Sequence, residues 1–474
     1  MRSPARLTAL LAALACALVS GCGGDGSGSS RHANVFPITG LIEGFYGPPY
    51  AAEDRLALVH VLAEAGLDHY VYAPKNDPYH RSRWREPYPP DELAAIGELA
   101  RAAAREGVTL TFAVSPTDMA FTNEADVAAL LAKLDAVRAE GVRSFTVSFD
   151  DTLPFFSAPG DLLRYGLDLA AAHAELVNSV LAHLRASEPA AELFFTPMDY
   201  NGAIQPYSFR LGELLDAAVP VFWTGPSVYS PSVDAAYMAQ VADALRRPPL
   251  LWDNFPVNDA FYAYELHLGE YLGRDPALAG VLGGVILNTM IEPRASQVAL
   301  RQLGTFADDP ARFDPERAWR AALEATAPGS NAFRLFAEQS RASPLGRVDA
   351  VELEAKVDAF YDAFDGGGPA FDEATAGLGA LFDRFSAIRP ALAREVADAR
   401  LLAEIEPWIT RLEELGAIGR RGLDAIVAAH GGAADRAAAL SVKAMAVESE
   451  LDPHRMCGDA VARFLSEGAD RLAR

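Results

Sequence analysis

Two consecutive aspartates, Asp150 and Asp151, close the apolar run of RSFTVSFDDTLP and are followed by Thr152 and a helix-incompatible Pro154. Successive side chains on a regular strand point to opposite faces. The pair can therefore serve one site only where the strand ends or bulges, which Asp151 at a strand-to-loop junction would permit. Two carboxylates at a cleft mouth suit glycoside hydrolysis, in which a carboxyl of raised pKa protonates the leaving oxygen while the other stays ionised and stabilises positive charge. Like charges in proximity push the two proton affinities apart. A metal is the rival use. Hard cations want several oxygens and zinc usually wants histidine, and His69, His80, His173 and His267 show no ligand-like spacing, so neither a metal nor a cofactor is expected.

The elements that must position this pair follow from periodicity. From Pro37 to about Leu303, short apolar runs rich in β-branched and aromatic residues alternate with amphipathic stretches rich in Ala and Leu. Eight strands are expected, at Ile38 to Glu43, His69 to Ala73, Leu110 to Ser115, Ser144 to Phe149, Leu193 to Thr196, Pro220 to Trp223, Leu250 to Asp253 and Gly284 to Asn288. Eight strands separated by helices make an α/β fold, a closed (β/α)8 barrel of the TIM type. Nearly every strand ends in polar or aromatic residues: Glu43 and Gly44, Lys75 and Asp77, Ser115, the aspartate pair, Asp199 and Tyr200, Thr224, Asp253 and Asn254, and Asn288. Barrel enzymes build their sites at that C-terminal face. Turn chemistry alone also puts polar residues at strand ends, so only the convergence of so many is informative.

After Asp308 the strands vanish. Pro315 to Ala325, Val348 to Phe364, Ala370 to Phe385, Pro390 to Ala429 and Ala434 to Leu472 read as helix-forming, broken at Gly366 to Pro369 and at Gly431 and Gly432. This makes an all-helical C-terminal domain, structural or scaffolding, with no ligand cluster of its own.

At the other end, Arg2 and Arg6 precede an apolar run from Leu7 to Val19 that is too short to span a bilayer and reads as an export signal. It closes on Val19, Ser20, Gly21 and Cys22, which resembles a bacterial lipobox with Cys22 as the lipidated residue; a plain signal peptide is the alternative. Gly23 to Ser30 would then be a flexible spacer off a membrane. No Asp directly follows Cys22, which suits the outer membrane of a diderm bacterium. The expected organisation is a signal peptide over 1–21, a tether over 22–35, a catalytic barrel over 36–305 and a helical domain over 306–474. Cys16 leaves with the signal and Cys22 carries lipid, so Cys457 has no disulfide partner. A net charge of −23 argues against nucleic acid or a polyanion as partner. The oligomeric state is left open.

Six strings in order, GLIEGFYGPPY, YVYAPKNDPYHRSRWREPYP, SFDD, WTGP, LWDNFPVND and LNTM, resemble the catalytic domain of the O-GlcNAcase and hyaluronidase-type β-N-acetylglucosaminidases, glycoside hydrolase family 84, over about residues 36–305. The resemblance implies a retaining exo-glycosidase acting on N-acetylglucosamine-containing glycans or glycoconjugates, in which the substrate's own acetamido oxygen attacks and an oxazoline forms. Asp150 would orient and polarise the acetamido group, and Asp151 would be the general acid and then the base, an exception to the rule that one of two carboxylates attacks. Around them the resemblance implies Gly44 bringing backbone close to the sugar, Lys75 on a hydroxyl and Tyr200 on the acetamido side. It further implies Trp252 as a pocket wall, Asn254 on an acetamido or hydroxyl group, Asp259 as a bidentate hydroxyl acceptor and Asn288 on nearby hydroxyls. Gly44 has a plainer reading as a turn glycine, Lys75 as a solvated lysine, and Tyr200 and Trp252 as packed rings, whereas Asp259, in a loop with no obvious cationic partner, is harder to explain that way. The chain departs from the family pattern at SPTDM, at Asp199 of TPMDY and at Thr289 of LNTM, which bears on loop shape rather than on the acid and base. A second function class is a surface lipoprotein that binds N-acetylglucosamine without turnover. Such proteins commonly lack the acid, and here both aspartates stand.

Overall fold

The computed structural model describes residues 34–346, 348–430 and 435–473. The export signal, Cys22, the spacer to Ser30 and the break at Gly431 and Gly432 lie outside the described residues. Eight parallel strands form one sheet: β1 (Ile38–Glu43), β2 (His69–Tyr72), β3 (Thr109–Val114), β4 (Ser144–Ser148), β5 (Glu192–Thr196), β6 (Phe222–Trp223), β7 (Leu250–Asp253) and β8 (Gly284–Asn288). β1 pairs with both β2 and β8, and the ring closes between β5 and β6 through the bridge Phe195 to Val221, where the Phe195 N–H donates to the Pro220 carbonyl at 3.0 Å. The expected (β/α)8 barrel is thus present. Its strand ends differ from the expected ones by a residue or two, and β6 is shortened to two residues.

Both faces of each strand are covered, so the runs read as continuously apolar rather than alternating. Ile42, Val71, Ala113, Phe194, Phe222, Leu250, Trp252 and Ile286 fill the barrel interior, while a separate layer packs between strands and helices. That outer layer is α1 (Ala52–Glu64), α2 (Pro90–Glu106), α3 (Glu124–Ala139), α4 (Pro159–Tyr165), α5 (Leu169–Ser187), α6 (Pro206–Leu214), α7 (Ala235–Leu245) and α8 (Gln297–Asp308). Two short 3-10 turns, Ala260–Tyr262 and Pro276–Gly280, replace an α-helix between β7 and β8.

Among the described residues nine further helices follow: α9 (Pro315–Thr326), α10 (Asn331–Glu338), α11 (Val351–Phe364), α12 (Gly368–Ser386), α13 (Ile388–Glu395), α14 (Ala399–Glu404), α15 (Glu406–Ala429), α16 (Arg436–Glu448) and α17 (Ala460–Leu472). The stretch expected as helix-forming from Pro390 to Ala429 is three helices, because Asp398 caps a new start by accepting from the Arg400 and Leu401 amides and Pro407 opens another. Likewise Ala434 to Leu472 divides at residues 449–459 into α16 and α17.

The helical region shares a core with the barrel's last loops. Leu266, Leu268, Met290, Ala295 and Val298 bury against residues that include Trp319, Phe336 and Leu401. The Trp319 indole donates to the Leu268 carbonyl at 2.6 Å and the Trp408 indole to the Tyr264 carbonyl at 3.0 Å. The loops that follow β7 and β8 are therefore anchored from below by these helices. Among the described residues no helix is long and apolar enough to cross a membrane, and no group of three or more His, Cys, Asp or Glu could hold a metal.

Candidate active site

β4 stops at Ser148, one residue short of the expected end, and the chain then turns sharply. The Phe149 N–H still donates to the Thr196 carbonyl at 2.8 Å, and the Phe149 ring stacks on His173 with centroids 4.3 Å apart. Burial pushes the His173 imidazole down to about 3, so this floor is uncharged at neutral pH. The Thr152 hydroxyl donates back to the Phe149 carbonyl at 2.6 Å and closes the turn. Within it Asp151 adopts φ of 57°, a left-handed conformation that costs a non-glycine residue about 1–2 kcal/mol. This break in the strand's alternation is what lets consecutive carboxylates address one site.

The two aspartates meet unlike surroundings. Asp150 is buried and ion-pairs through Oδ2 with Lys75 from the loop after β2, itself buried; Asp150 Oδ1 is also buried and has no hydrogen-bond partner among the described residues. Asp151 accepts the Tyr46 hydroxyl on Oδ2 at 2.7 Å and the Tyr200 hydroxyl on Oδ1 at 2.8 Å. Burial pushes the Asp151 carboxyl up, but Lys75, the two hydroxyls and the Arg81 guanidinium together hold it below the usual carboxylate range. The raised value expected of the acid is therefore not found at Asp151. Tyr46 is pushed up to about 12, chiefly by burial and against the Arg81 hydrogen bond, so it stays a donor.

The remaining expected residues fall into the same network. Lys75 Nζ lies 5.4 Å from the Trp252 ring centroid, and the Trp252 indole donates to Asn254 Oδ1 at 2.9 Å. That oxygen also accepts from Asn288 Nδ2 at 2.9 Å, and Asn288 Oδ1 accepts the Gly44 amide at 3.2 Å. A Cβ on Gly44 would stand 2.7 Å from Trp252 Cζ2, so glycine is required here by the indole's approach. Asp259 accepts the Tyr46 amide on one oxygen at 2.7 Å and the Tyr229 hydroxyl on the other at 2.8 Å. Gly44, Lys75, Asp150, Asp151, Tyr200, Trp252, Asn254, Asp259 and Asn288 are thus linked through successive contacts at the C-terminal face, with Tyr46 as the joint between the two halves.

Three acidic strand ends that look alike in sequence do other work. Glu43 is held by Arg55 through two hydrogen bonds of 2.8 Å, Asp253 by Arg274, and Asp77 accepts the Tyr72 and Tyr88 hydroxyls. A fourth, Asp199 in the loop after β5, accepts the Ser208 hydroxyl at 2.9 Å. Conversely, Tyr46, Arg81 and Tyr229 belong to the site without having been singled out. Tyr46 and Arg81 sit inside the strings GFYGPPY and PYHRSRW, and nothing in their residue type separates them from packed or solvated neighbours.

Residues 39–338 match the model of the NAGidase, or β-N-acetylglucosaminidase, family. The chain belongs to that family. It is 35% identical to the rat Protein O-GlcNAcase over 289 residues, which is 59% of this chain and 31% of that one, and 35% identical to the mouse protein over 277 residues, 57% and 30%. The match thus spans less than a third of these relatives' length. Among solved structures, an aspartate-to-asparagine mutant of the Thermobaculum terrenum O-GlcNAc hydrolase superimposes with a TM-score of 0.83 at 28% identity, covering 92% of this chain and 95% of that one. The family expected from the six strings is borne out, and with it a glycoside hydrolase barrel. A fit over 92% of this chain reaches well beyond the barrel into the C-terminal helices.

Proposed function

We infer that this family member is a retaining exo-β-N-acetylglucosaminidase working by substrate assistance, with terminal N-acetyl-β-D-glucosaminides of proteins or glycans as substrates. The observation that carries the reading is the inequality of the two aspartates. Asp150 offers a buried carboxylate oxygen with no partner, next to the cation that compensates its charge, which suits an acetamido N–H becoming positively charged. Asp151 carries two hydroxyl donors that can stabilise the carboxylate left after proton transfer.

In the first half-reaction the Asp151 proton passes to the glycosidic oxygen as the bond from C1 to that oxygen breaks and the acetamido oxygen bonds to C1. The positive charge on the resulting oxazolinium nitrogen faces Asp150. In the second, a water oxygen bonds to C1, its proton goes to the Asp151 carboxylate, and the bond from C1 to the acetamido oxygen breaks, so configuration is retained. No side chain attacks the anomeric carbon. The Lys75 ammonium, paired with Asp150, serves first to keep that carboxylate in place.

Release of 4-nitrophenol from 4-nitrophenyl N-acetyl-β-D-glucosaminide, and competitive inhibition by a thiazoline analogue of N-acetylglucosamine, test this directly. Binding without turnover at every pH would replace the enzyme with a sugar-binding protein; turnover with no thiazoline inhibition would replace the mechanism. Attachment to a membrane through Cys22 belongs to the same reading, on the strength of the lipobox-like string, and metabolic labelling with a fatty acid that is lost in Cys22→Ser checks it.

A further inference from the structure

Tyr46 is held in place from three directions. Its backbone N–H donates to Asp259 Oδ2 at 2.7 Å, its hydroxyl donates to Asp151 Oδ2 at 2.7 Å, and the same hydroxyl accepts from Arg81 Nη1 at 2.5 Å. The Arg81 guanidinium also stands 5.3 Å from the Tyr46 ring centroid. A hydroxyl that accepts from a cation becomes a stronger donor onward, because hydrogen bonds in a chain polarise one another. The titratable and charged groups facing Asp151 are Tyr46 from the loop after β1, Lys75 and Arg81 from the loop after β2, Tyr200 from the loop after β5 and Tyr229 from the loop after β6, beside its chain neighbour Asp150. Lys75 is committed to Asp150, and Tyr200 reaches Asp151 directly. Among the described residues, Arg81 is the cation linked to Asp151 through the hydroxyl of another side chain.

We propose that Arg81, acting through the Tyr46 hydroxyl, is a positioning residue for Asp151 that fixes the carboxyl against the glycosidic oxygen and sets the pH at which the proton-loaded acid is lost. The proposal rests on Asp151 being the acid and base of the reaction above. A hydrogen bond donated to a carboxylate stabilises the ionised form. The pair therefore helps the proton leave Asp151 in the first half-reaction, and it lowers the pH at which the free enzyme runs out of protonated acid. Loss of the hydroxyl keeps the proton on Asp151 to higher pH but makes it leave less readily. The Asp259 contact is made by the Tyr46 backbone, so it survives removal of the hydroxyl.

The test is the pH dependence of kcat/KM for the wild type, Tyr46→Phe, Arg81→Met and the double variant. Two substrates are compared: an alkyl N-acetyl-β-D-glucosaminide, whose leaving oxygen needs a proton, and the 3,4-dinitrophenyl glycoside, whose leaving group departs without one. Tyr46→Phe is expected to lose roughly tenfold at the plateau on the alkyl glycoside and little on the dinitrophenyl one, with the basic limb moved up by roughly one pH unit. Arg81→Met moves the limb the same way by less, and its effect shrinks in the Tyr46→Phe background, where only its through-space attraction remains. A site that is merely loosened would lose activity on both substrates without moving the limb, which overturns the proposal. So does an Arg81→Met shift of equal size in both backgrounds. A wild type active on neither glycoside defeats the proposed activity itself, whereas an active wild type with an unmoved limb in Tyr46→Phe defeats only this role.

Discussion

Replacing Lys75 by methionine keeps the apolar stem and deletes the charge, leaving Asp150 a carboxylate whose side chain is 6% exposed, with no cation beside it. One of its oxygens already lacks a partner, so the loss is not shared with other donors. Breaking a buried ion pair from one side costs about 3–5 kcal/mol because the surviving charge is uncompensated, while replacing both partners by neutral groups costs far less. Unfolding entropy of about 2.1 cal/mol/K per residue gives a chain of 474 residues about 1 kcal/mol per degree for cooperative unfolding. Lys75→Met should therefore melt roughly 3–5 °C below the wild type, and Lys75→Met with Asp150→Asn should recover most of that gap. Activity should part company with stability: the double variant, although restored in melting, lacks the carboxylate proposed to meet the oxazolinium charge and should stay about 10²–10³-fold down in kcat/KM. Calorimetric melts and single-substrate kinetics on the wild type and three variants complete the cycle. A double variant whose melting loss equals the sum of the two singles would refute the argument, because Lys75 and Asp150 would then not be compensating one another.

Gly44→Ala places a methyl 2.7 Å from Trp252 Cζ2 and 3.2 Å from Asn288 Oδ1, so the indole must move; a cost of about 1–3 kcal/mol in melting and a raised KM are expected, read by calorimetry and initial rates. Glu292 and Glu404, at the junction of the β8 loop with α14, are raised by burial from an ordinary 4.5 to about 7 and about 8. Both bind protons more readily folded than unfolded, so their stabilisation is complete below about pH 4.5 and is lost as pH rises through 7 and 8. Glu404→Gln should flatten that fall, and melting points at pH 5 and pH 9 check it. Ending the chain after Asp308 would uncover Leu266, Leu268, Met290, Ala295 and Val298 and strip the indole donors from the Leu268 and Tyr264 carbonyls. The shortened barrel should lose activity along with solubility and a cooperative melt; retention of full specific activity would show that the β7 and β8 loops hold their shape unaided.

The barrel was legible because its strands are covered on both faces, which leaves a length-limited, β-branched and aromatic run that no turn or surface helix imitates. What escaped is informative in the same terms. β6 keeps only Phe222 and Trp223 in ladder geometry, although Pro220 and Val221 are as apolar as the rest, because Pro220 has no N–H to donate and the closing contact with β5 reduces to one bridge. The division of Pro390 to Ala429 into three helices was written in Asp398 and Pro407, both of which carry ordinary helix-start chemistry that composition over forty residues conceals.

The site was half legible for a different reason. Strand-end aspartates and glutamates look identical in a sequence, and what separates Glu43 and Asp253 from Asp150 is the arginine each meets: Arg55 in the first turn of α1, Arg274 beyond the loop that carries the 3-10 turn Ala260–Tyr262. An ion partner that distant in the chain leaves no local signature. The same blindness explains the proton affinity of Asp151. Two adjacent carboxylates by themselves repel, and one of them gains proton affinity, but the two negative charges do not stand alone here. Lys75 and Arg81 are brought to Asp150 and Asp151 by the loop after β2, two strands away in the sheet, and with the Tyr46 and Tyr200 hydroxyls they outweigh burial at Asp151. A carboxyl so stabilised as the anion gives up its proton readily, which suits the role proposed for Asp151 in delivering a proton to the leaving oxygen.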